Sequence, residues 1–386
     1  MKLGMFISPG SYPHRSLAEV VAWYEKVVCR AEELGYAEIW CASHTNSSWA
    51  RVASPSQLIA RFLGLTSTIR FGTAAEIMYM HNPIALAARL AELDQISMGR
   101  LYFGFAAGGP VTDMQLFAVP GANVPEMRVA AHEMMLEGIE VILNCWQEGG
   151  PRDFDGKYYK VRRPAAFADV SNSQKGDYGW HLRPHGPYED RIAIAGLQAK
   201  SSGLRMAGER GFIPMSWTIS REFAALNWAS VEEGASRAGR IASRNPWRFS
   251  QMIYVAETEK EARDAIVNGF AGIYYNKMWK PIFEFNGAAA YLKRRAGSDD
   301  LSTENLIDRG FWYIGTPDKV AAQIREQYET WGAFGTILQV GLDYAGEGAA
   351  GWMRSMELLA KEVMPKLDDL VIPKGIPKIE EARNAA

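Results

Sequence analysis

Hydrophobic and polar positions follow two alternating rhythms along this chain. Short apolar runs, rich in Val, Ile, Leu and Phe, give way to longer stretches with one apolar stripe at helical spacing. The short runs fall at 2–7, 37–41, 69–74, 101–105, 191–195, 212–217, 247–255 and 335–340. The spacing predicts helices over 17–34, 56–65, 83–96, 126–146, 202–210, 221–239, 259–274, 317–328 and 351–364. Gly35 stops the first helix, and Pro83 sits in the first turn of the third. Strands that are continuously apolar, each followed by a helix, indicate a parallel sheet covered on both faces. Eight such steps favour an α/β fold of the (β/α)8 TIM-barrel kind over an open doubly wound sheet.

The pattern breaks in two places. Residues 151–190 are rich in Pro and Gly, and Asp155-Gly156 between Phe154 and Tyr158-Tyr159 reads as a hairpin turn. Residues 276–309 interrupt the helical run that follows the seventh strand. Insertions of this length on a barrel's upper rim serve as lids or substrate walls. The reading is a single barrel domain over 1–367 with these two insertions and a charged, Pro-containing tail over 368–386.

Composition narrows the function. With 42 basic and 44 acidic residues, a net charge of -2 and no Lys/Arg cluster, a nucleic-acid partner is not expected. The N-terminal segment is too short for a signal peptide, and no apolar run suits a membrane span. Cys29, Cys41 and Cys145 show neither disulfide-framework nor zinc-site spacing, which suits a reducing cytoplasm. There is no HExxH, no EF-hand loop and no GxGxxG after the first strand, so neither a metal centre nor Rossmann-type dinucleotide binding is indicated.

The most informative stretch runs from Leu93 to Gly108. It reads as a helix end, a tight turn at Met98-Gly99, a strand, and a small-residue loop, Ala106-Ala107-Gly108. That arrangement puts bare backbone at a strand's C-terminal end, where barrels place ligands. Other strand ends accompany it: Glu38-Ile39-Trp40-Cys41-Ala42-Ser43-His44, Gly72-Thr73-Ala74-Ala75, and His81-Asn82-Pro83 opening a helix. Further on come the hairpin, the run from Arg183-Pro184-His185 to Ala195-Gly196, and Ile314-Gly315-Thr316-Pro317-Asp318. In this order, over 2–367, the pieces resemble the bacterial luciferase-like flavin monooxygenases.

The resemblance implies FMN, supplied as FMNH2 by a separate flavin reductase, and O2 as co-substrate. It implies a C4a-hydroperoxide as the oxygenating species, a hydrophobic organic substrate and a homodimer. A terpenoid, an aldehyde or a polycyclic ketone would suit the aromatic and Met-rich surroundings. The nearly all-apolar helix 83–93 fits burial on both the barrel side and a partner. Two other readings keep the fold: an F420-dependent hydride-transfer enzyme, and a flavin-binding protein without catalysis.

The same resemblance assigns site residues. His44 is the catalytic candidate, since an imidazole can donate a hydrogen bond and shuttle a proton near neutrality. The family commonly precedes this His with a carboxylate. Here Ser43 and Thr45 flank it, so any acid–base partner must come from elsewhere. Ala74-Ala75 takes the position of a non-prolyl cis peptide beneath the isoalloxazine ring, with Glu76 as a polar contact. Ala106 and Gly108 would border the ribityl or phosphate side. Ala107 stands where some members carry an arginine, so the phosphate falls to Ala195, Gly196, Lys200, Ser201 and Ser202 at a helix start. Ser201 or Ser202 reads equally well as a plain N-cap. Phe6, Met78, Tyr79 and Trp217 are substrate-wall candidates, with packed core as the alternative for Phe6 and Trp217. His81 and His185 read as structural.

Overall fold

The computed structural model of the chain describes residues 1–163, 180–196, 200–217, 221–285 and 289–371. Eight parallel strands close on themselves: β1 (Lys2–Ile7), β2 (Glu38–Cys41), β3 (Arg70–Thr73), β4 (Leu101–Ala106), β5 (Ile192–Gly196), β6 (Ile213–Trp217), β7 (Arg248–Gln251) and β8 (Thr336–Gly341). Each pairs with its sequence neighbours, β1 with β8 and β3 with β4 included, so the expected barrel is what the chain forms. The principal helices are α1 (Leu17–Glu33), α2 (Pro55–Leu63), α3 (Pro83–Ile96), α4 (Val124–Trp146), α5 (Ser202–Arg210), α6 (Arg221–Arg237), α7 (Pro317–Trp331) and α8 (Ala349–Leu358).

Local chemistry starts the helices where they start. Three open on a capping residue followed by proline: Ser54-Pro55, Asn82-Pro83 and Thr316-Pro317. The cap side chain satisfies a free N–H while the proline, which lacks one, occupies a position that needs no donor. The α1 start is a reciprocal capping box between Ser16 and Glu19. Between α3 and β4 the chain reverses on Met98 and Gly99, with φ of 57° and 81°. A glycine at the second position carries that conformation at no steric cost.

Alternate strand residues fill the barrel. Trp40, Tyr102, Ala193, Ile213, Met215 and Leu338 form an inner cluster, and Phe6, Ala74 and Ala195 pack against it. The larger core lies between strands and helices, with Phe71, Phe103, Ile192, Ile194 and Phe249 facing outward. This is the two-layer burial that the continuous apolar runs predicted.

The seventh run behaves differently from the reading of 247–255 as one strand. Arg248–Gln251 belongs to the barrel, whereas Ile253–Val255 leaves it to pair in parallel with Tyr313–Gly315. The switch occurs at Met252, whose carbonyl accepts from Tyr313 N at 2.9 Å. Apolar content alone does not reveal a change of partner. The hairpin over Phe154–Asp155 and Lys160–Val161 forms, and the Glu137 carboxylate of α4 holds its turn by accepting from the backbone N–H of Lys157, Tyr158 and Tyr159. Residues 164–179 of the first insertion and 372–386 of the tail lie outside the described residues. The second insertion is helical, with Lys280–Phe285, Ala289–Ala296 and Thr303–Asp308 after a π-type turn over Tyr275–Trp279.

Candidate active site

The floor of the site is made where β3 parts from β4. Thr73 exchanges two 2.9 Å hydrogen bonds with Gly104 through its hydroxyl rather than its backbone. The chain rejoins β4 only at Glu76–Ile77, which pair with Phe105 and Ala106. Between these points the Ala74–Ala75 peptide, cis, passes over the top of the barrel interior. Gly104 cannot be replaced without moving this floor, because a Cβ there would lie 1.8 Å from the Thr73 carbonyl oxygen. The Ala75 carbonyl accepts from Ser43 Oγ at 3.4 Å, tying the floor to the loop that carries His44.

His44 follows β2, anchored by its backbone N–H to the Val52 carbonyl at 2.8 Å. Its half-buried ring lines a cleft of about 370 Å³ at the carboxyl ends of the strands. Across the cleft stand Pro110 and Asp113, after β4, and Met278 and Ile282, from the second insertion. The imidazole has no hydrogen-bond or ion-pair partner among the described residues. Burial pulls its pKa down to about 4. At neutral pH His44 is therefore an uncharged imidazole, able to donate one hydrogen bond or to take up a proton.

That shift has a consequence for stability. Between about pH 6.5 and 4 the unfolded chain protonates this histidine while the folded chain does not, so the unfolded state binds more protons and stability falls with falling pH. From pH 7 to pH 5 the group is expected to cost about 2 kcal/mol. Denaturant midpoints of the parent and His44→Gln at both pH values check this; the variant should lose that share of the acid sensitivity.

The other predicted residues divide into groups. Phe6 and Trp217 face one another at 6.5 Å between ring centroids, and Trp217 meets Trp279 of the second insertion edge-on at 4.6 Å. The insertion thus reaches the barrel mouth, and both rings stand at its upper rim. Ala195 shares the inner top layer with Ala74 and Phe6. Tyr79 lies with its hydroxyl under Gly108, where a Cβ would approach it to 2.5 Å; Gly108 has φ of 92°. Met78 points instead into the helix layer, where a Cβ on Gly138 of α4 would lie 2.3 Å from its sulfur.

At the start of α5, Ser201 caps the helix by accepting from Leu204 N at 3.1 Å. Gly196 is buried at the end of β5, and Lys200 beside the cap is exposed. Ser202 Oγ is 2.7 Å from His132 Nε2 of α4. Glu76 is buried with Oε2 3.0 Å from His81 Nε2, while Arg89 donates to His81 Nδ1 at 3.3 Å. A guanidinium only donates, so Nδ1 accepts and the ring's N–H falls on Nε2, toward Glu76. His185 acts through its main chain: its N–H donates to Asp94 and its carbonyl accepts from Arg191.

Sequence reasoning did not single out Asp113, Trp49, Lys277 or Met278, all of which line the His44 cleft. A carboxyl in the segment Val111-Thr112-Asp113-Met114, directly after the small-residue loop, was the available signal for Asp113. Among the described residues there is no cluster of His, Cys, Asp or Glu suited to a metal ion, and no helix long and apolar enough to cross a membrane.

The platform can be tested for a flat ring. Ala74 and Ala75 present only methyl side chains, Ala74 packed on the inner layer, and the unpartnered Tyr79 hydroxyl beside Gly108 supplies a buried polar contact. The residues present fit a flavin.

Comparison with known proteins agrees with this geometry. The family model for luciferase-like monooxygenase matches residues 1–334. The 3,6-diketocamphane 1,6-monooxygenase of Pseudomonas putida is 27% identical over 385 residues, 97% of this chain and 99% of that one. The limonene 1,2-monooxygenase of Rhodococcus erythropolis is 25% identical over 361 residues, covering 90% of this chain and 82% of the relative. A solved structure of the oxygenating constituent of 3,6-diketocamphane monooxygenase from P. putida, a type II Baeyer–Villiger monooxygenase in complex with FMN, superposes with a TM-score of 0.84 at 26% identity over 97% of this chain and 99% of that one.

Proposed function

This chain belongs to the luciferase-like monooxygenases, and from that premise we propose that it is the oxygenase half of a two-component system, using FMNH2 from a separate reductase and O2 to oxygenate a hydrophobic substrate. The observation that carries this reading is the Ala74–Ala75 floor, small and flat at the barrel top, with a neutral imidazole facing the adjoining cleft. That the P. putida relative is in complex with FMN supports a flavin as the cofactor.

Bound there, reduced flavin would supply the two electrons that split O2 between product and water. The chain's own residues do the rest. Ala74 and Ala75 would carry the ring, Ala106 and Gly108 would let backbone approach its side chain, and the α5 start near Lys200 and Ser202 would take the phosphate. His44 holds or takes a proton at the reacting oxygen. Trp49, Met278, Ile282, Pro110 and Pro281 give the cleft apolar wall segments that suit a hydrophobic substrate, beside the polar Asn46, Ser47, Ser48, Thr112 and Lys277. Hydroxylation, epoxidation and Baeyer–Villiger insertion all use this arrangement. A second copy would cover the exposed Ile96 at the end of α3 and Met98 just after it, giving a homodimer, and the cytoplasm would supply reductase and reducing conditions.

The test is anaerobic titration with FMNH2 followed by rapid mixing with oxygenated buffer. The expected result is saturable binding, then reoxidation slower than that of free reduced flavin. Binding of F420 in preference to FMNH2 would overturn the reading, as would reoxidation indistinguishable from that of the free cofactor.

A further inference from the structure

The cleft that holds His44 contains one carboxyl group among its lining residues, Asp113. It stands at the third position of a short helix, Val111–Leu116. A carboxylate in a helix's first turn ordinarily sits in solvent, where it caps the free N–H groups or answers the helix dipole. Asp113 caps no N–H of its helix and is not in solvent. The helix start at Pro110 has no side-chain cap, and Asp113 is 3% exposed, with Oδ1 fully buried and without a hydrogen-bond partner.

A buried carboxylate lacking partners is costly, whereas its protonated form is far less so. Burial raises the Asp113 pKa, opposite in direction to the change at His44. Both groups are driven toward their uncharged forms in one cleft. The charged and titratable groups around Asp113 are few. The Tyr79 hydroxyl, also buried and unpartnered, feels the Asp113 charge and, in the opposite sense, that of Arg128 on α4. Lys277 and His44 share the cleft lining.

We propose that Asp113 is a second catalytic group of this cleft, taking a proton from solvent and delivering it from its carboxyl to the oxygen atom that departs. This rests on the oxygenase reading above. The stoichiometry calls for one proton at that oxygen: reduced flavin anion, O2, substrate and one proton yield oxidised flavin, oxygenated substrate and water. Without substrate, the same reductant, O2 and proton yield oxidised flavin and hydrogen peroxide. His44, neutral at pH 7, is not an imidazolium and does not bring that proton as a resting acid. Asp113 is the carboxyl that lines the same cleft as His44.

The experiment uses the full chain with FMNH2 and O2 as probes. In the cofactor-free protein, infrared difference titration should show a protonated carboxyl band surviving above the ordinary aspartate range in the parent and missing in Asp113→Asn. In stopped flow, Asp113→Asn should bind FMNH2 as the parent does but release hydrogen peroxide roughly 10- to 100-fold more slowly, with the alkaline fall in the parent's pH profile abolished. Asp113→Glu should restore that fall. A variant with the parent's rate and profile overturns the proposal, as does a variant that no longer binds FMNH2, which would make Asp113 a binding residue. A parent protein that binds no FMNH2 refutes the oxygenase reading itself; the infrared band then still reports the carboxyl separately.

Discussion

Arg191→Ala is expected to lower the stability of the fold by about 3–5 kcal/mol, through loss of one partner of a fully buried ion pair. Arg191 Nη1 lies 2.7 Å from Asp94 Oδ1 and Nη2 lies 3.0 Å from Oδ2, with the two side chains 6% and 0% exposed. The same guanidinium donates to the carbonyls of Pro187, Gly99, Leu101 and His185. Asp94 in turn accepts from the backbone N–H of Leu101 and His185. Truncation therefore strands a carboxylate and four carbonyls where water does not reach. Urea denaturation should show a lower midpoint at unchanged slope. Arg191→Lys, which keeps the charge but not the fork, should fall between parent and Ala. A loss below about 1 kcal/mol would place this pair among the dispensable ones.

The position of the pair explains its purpose. Asp94 and Arg191 join the end of α3, the reversal at Met98-Gly99 and the amino ends of β4 and β5. A second buried fork, Arg248 to Glu38 at 2.9 and 3.0 Å with Trp40 Nε1 donating to the same carboxylate, spans the barrel interior between the amino ends of β7 and β2. The Asp94 and Glu38 carboxylates at the lower end of the barrel are thus each answered by a guanidinium fork. At the upper end the Tyr79 hydroxyl, Asp113 Oδ1 and the His44 ring have no protein partner among the described residues. Barrels carry stability on the first face and chemistry on the second. Unanswered polar groups there are what a bound ligand can satisfy.

Much of this was legible before the structure. Strands buried on both faces advertise themselves by continuous apolar runs, and helices by their cap-proline pairs, so strand order followed from chain order alone. The Leu93–Gly108 block was also legible as a helix end, turn, strand and small-residue loop, and Ala74, Phe6 and Ala195 all pack against one inner cluster. Three things were not. The partner change at Met252 is a hydrogen-bond event inside an unbroken apolar run. Met78 and Tyr79 are adjacent in sequence, yet one turns into the helix layer and the other under Gly108, a difference set by the turn at Met78–Met80. Asp113 looks like an ordinary first-turn acid until its surroundings show that it is buried and uncapped. Each depends on which atoms lie opposite, and chain order does not encode that directly.

His44→Ala is expected to reduce coupled oxygenation by about 10²–10⁴-fold, the range spanned by loss of a positioned acid–base group. It should leave fold and flavin affinity nearly unchanged, for reasons visible in the local structure. The main chain of this residue is held by Val52, and the ring has no protein partner among the described residues, so truncation strands no polar atom. The Ala74–Ala75 floor meets this loop through Ser43, not through the imidazole. The pH profile gives a second signature. With its pKa held near 4, His44 is neutral and available throughout the physiological range, so its titration should remove coupled activity from the parent as the pH falls toward 4, an acid limb separate from the alkaline fall assigned to Asp113. The alanine variant has no such group and should show no acid limb from it. His44→Gln keeps a hydrogen-bond donor but accepts no proton near neutrality. A glutamine variant close to the parent would assign the imidazole to donation, and one as poor as alanine would assign it to proton transfer. Product formed and hydrogen peroxide released per FMNH2, measured in single turnovers across pH, separate these outcomes. Full coupling in the alanine variant would remove His44 from the chemistry altogether.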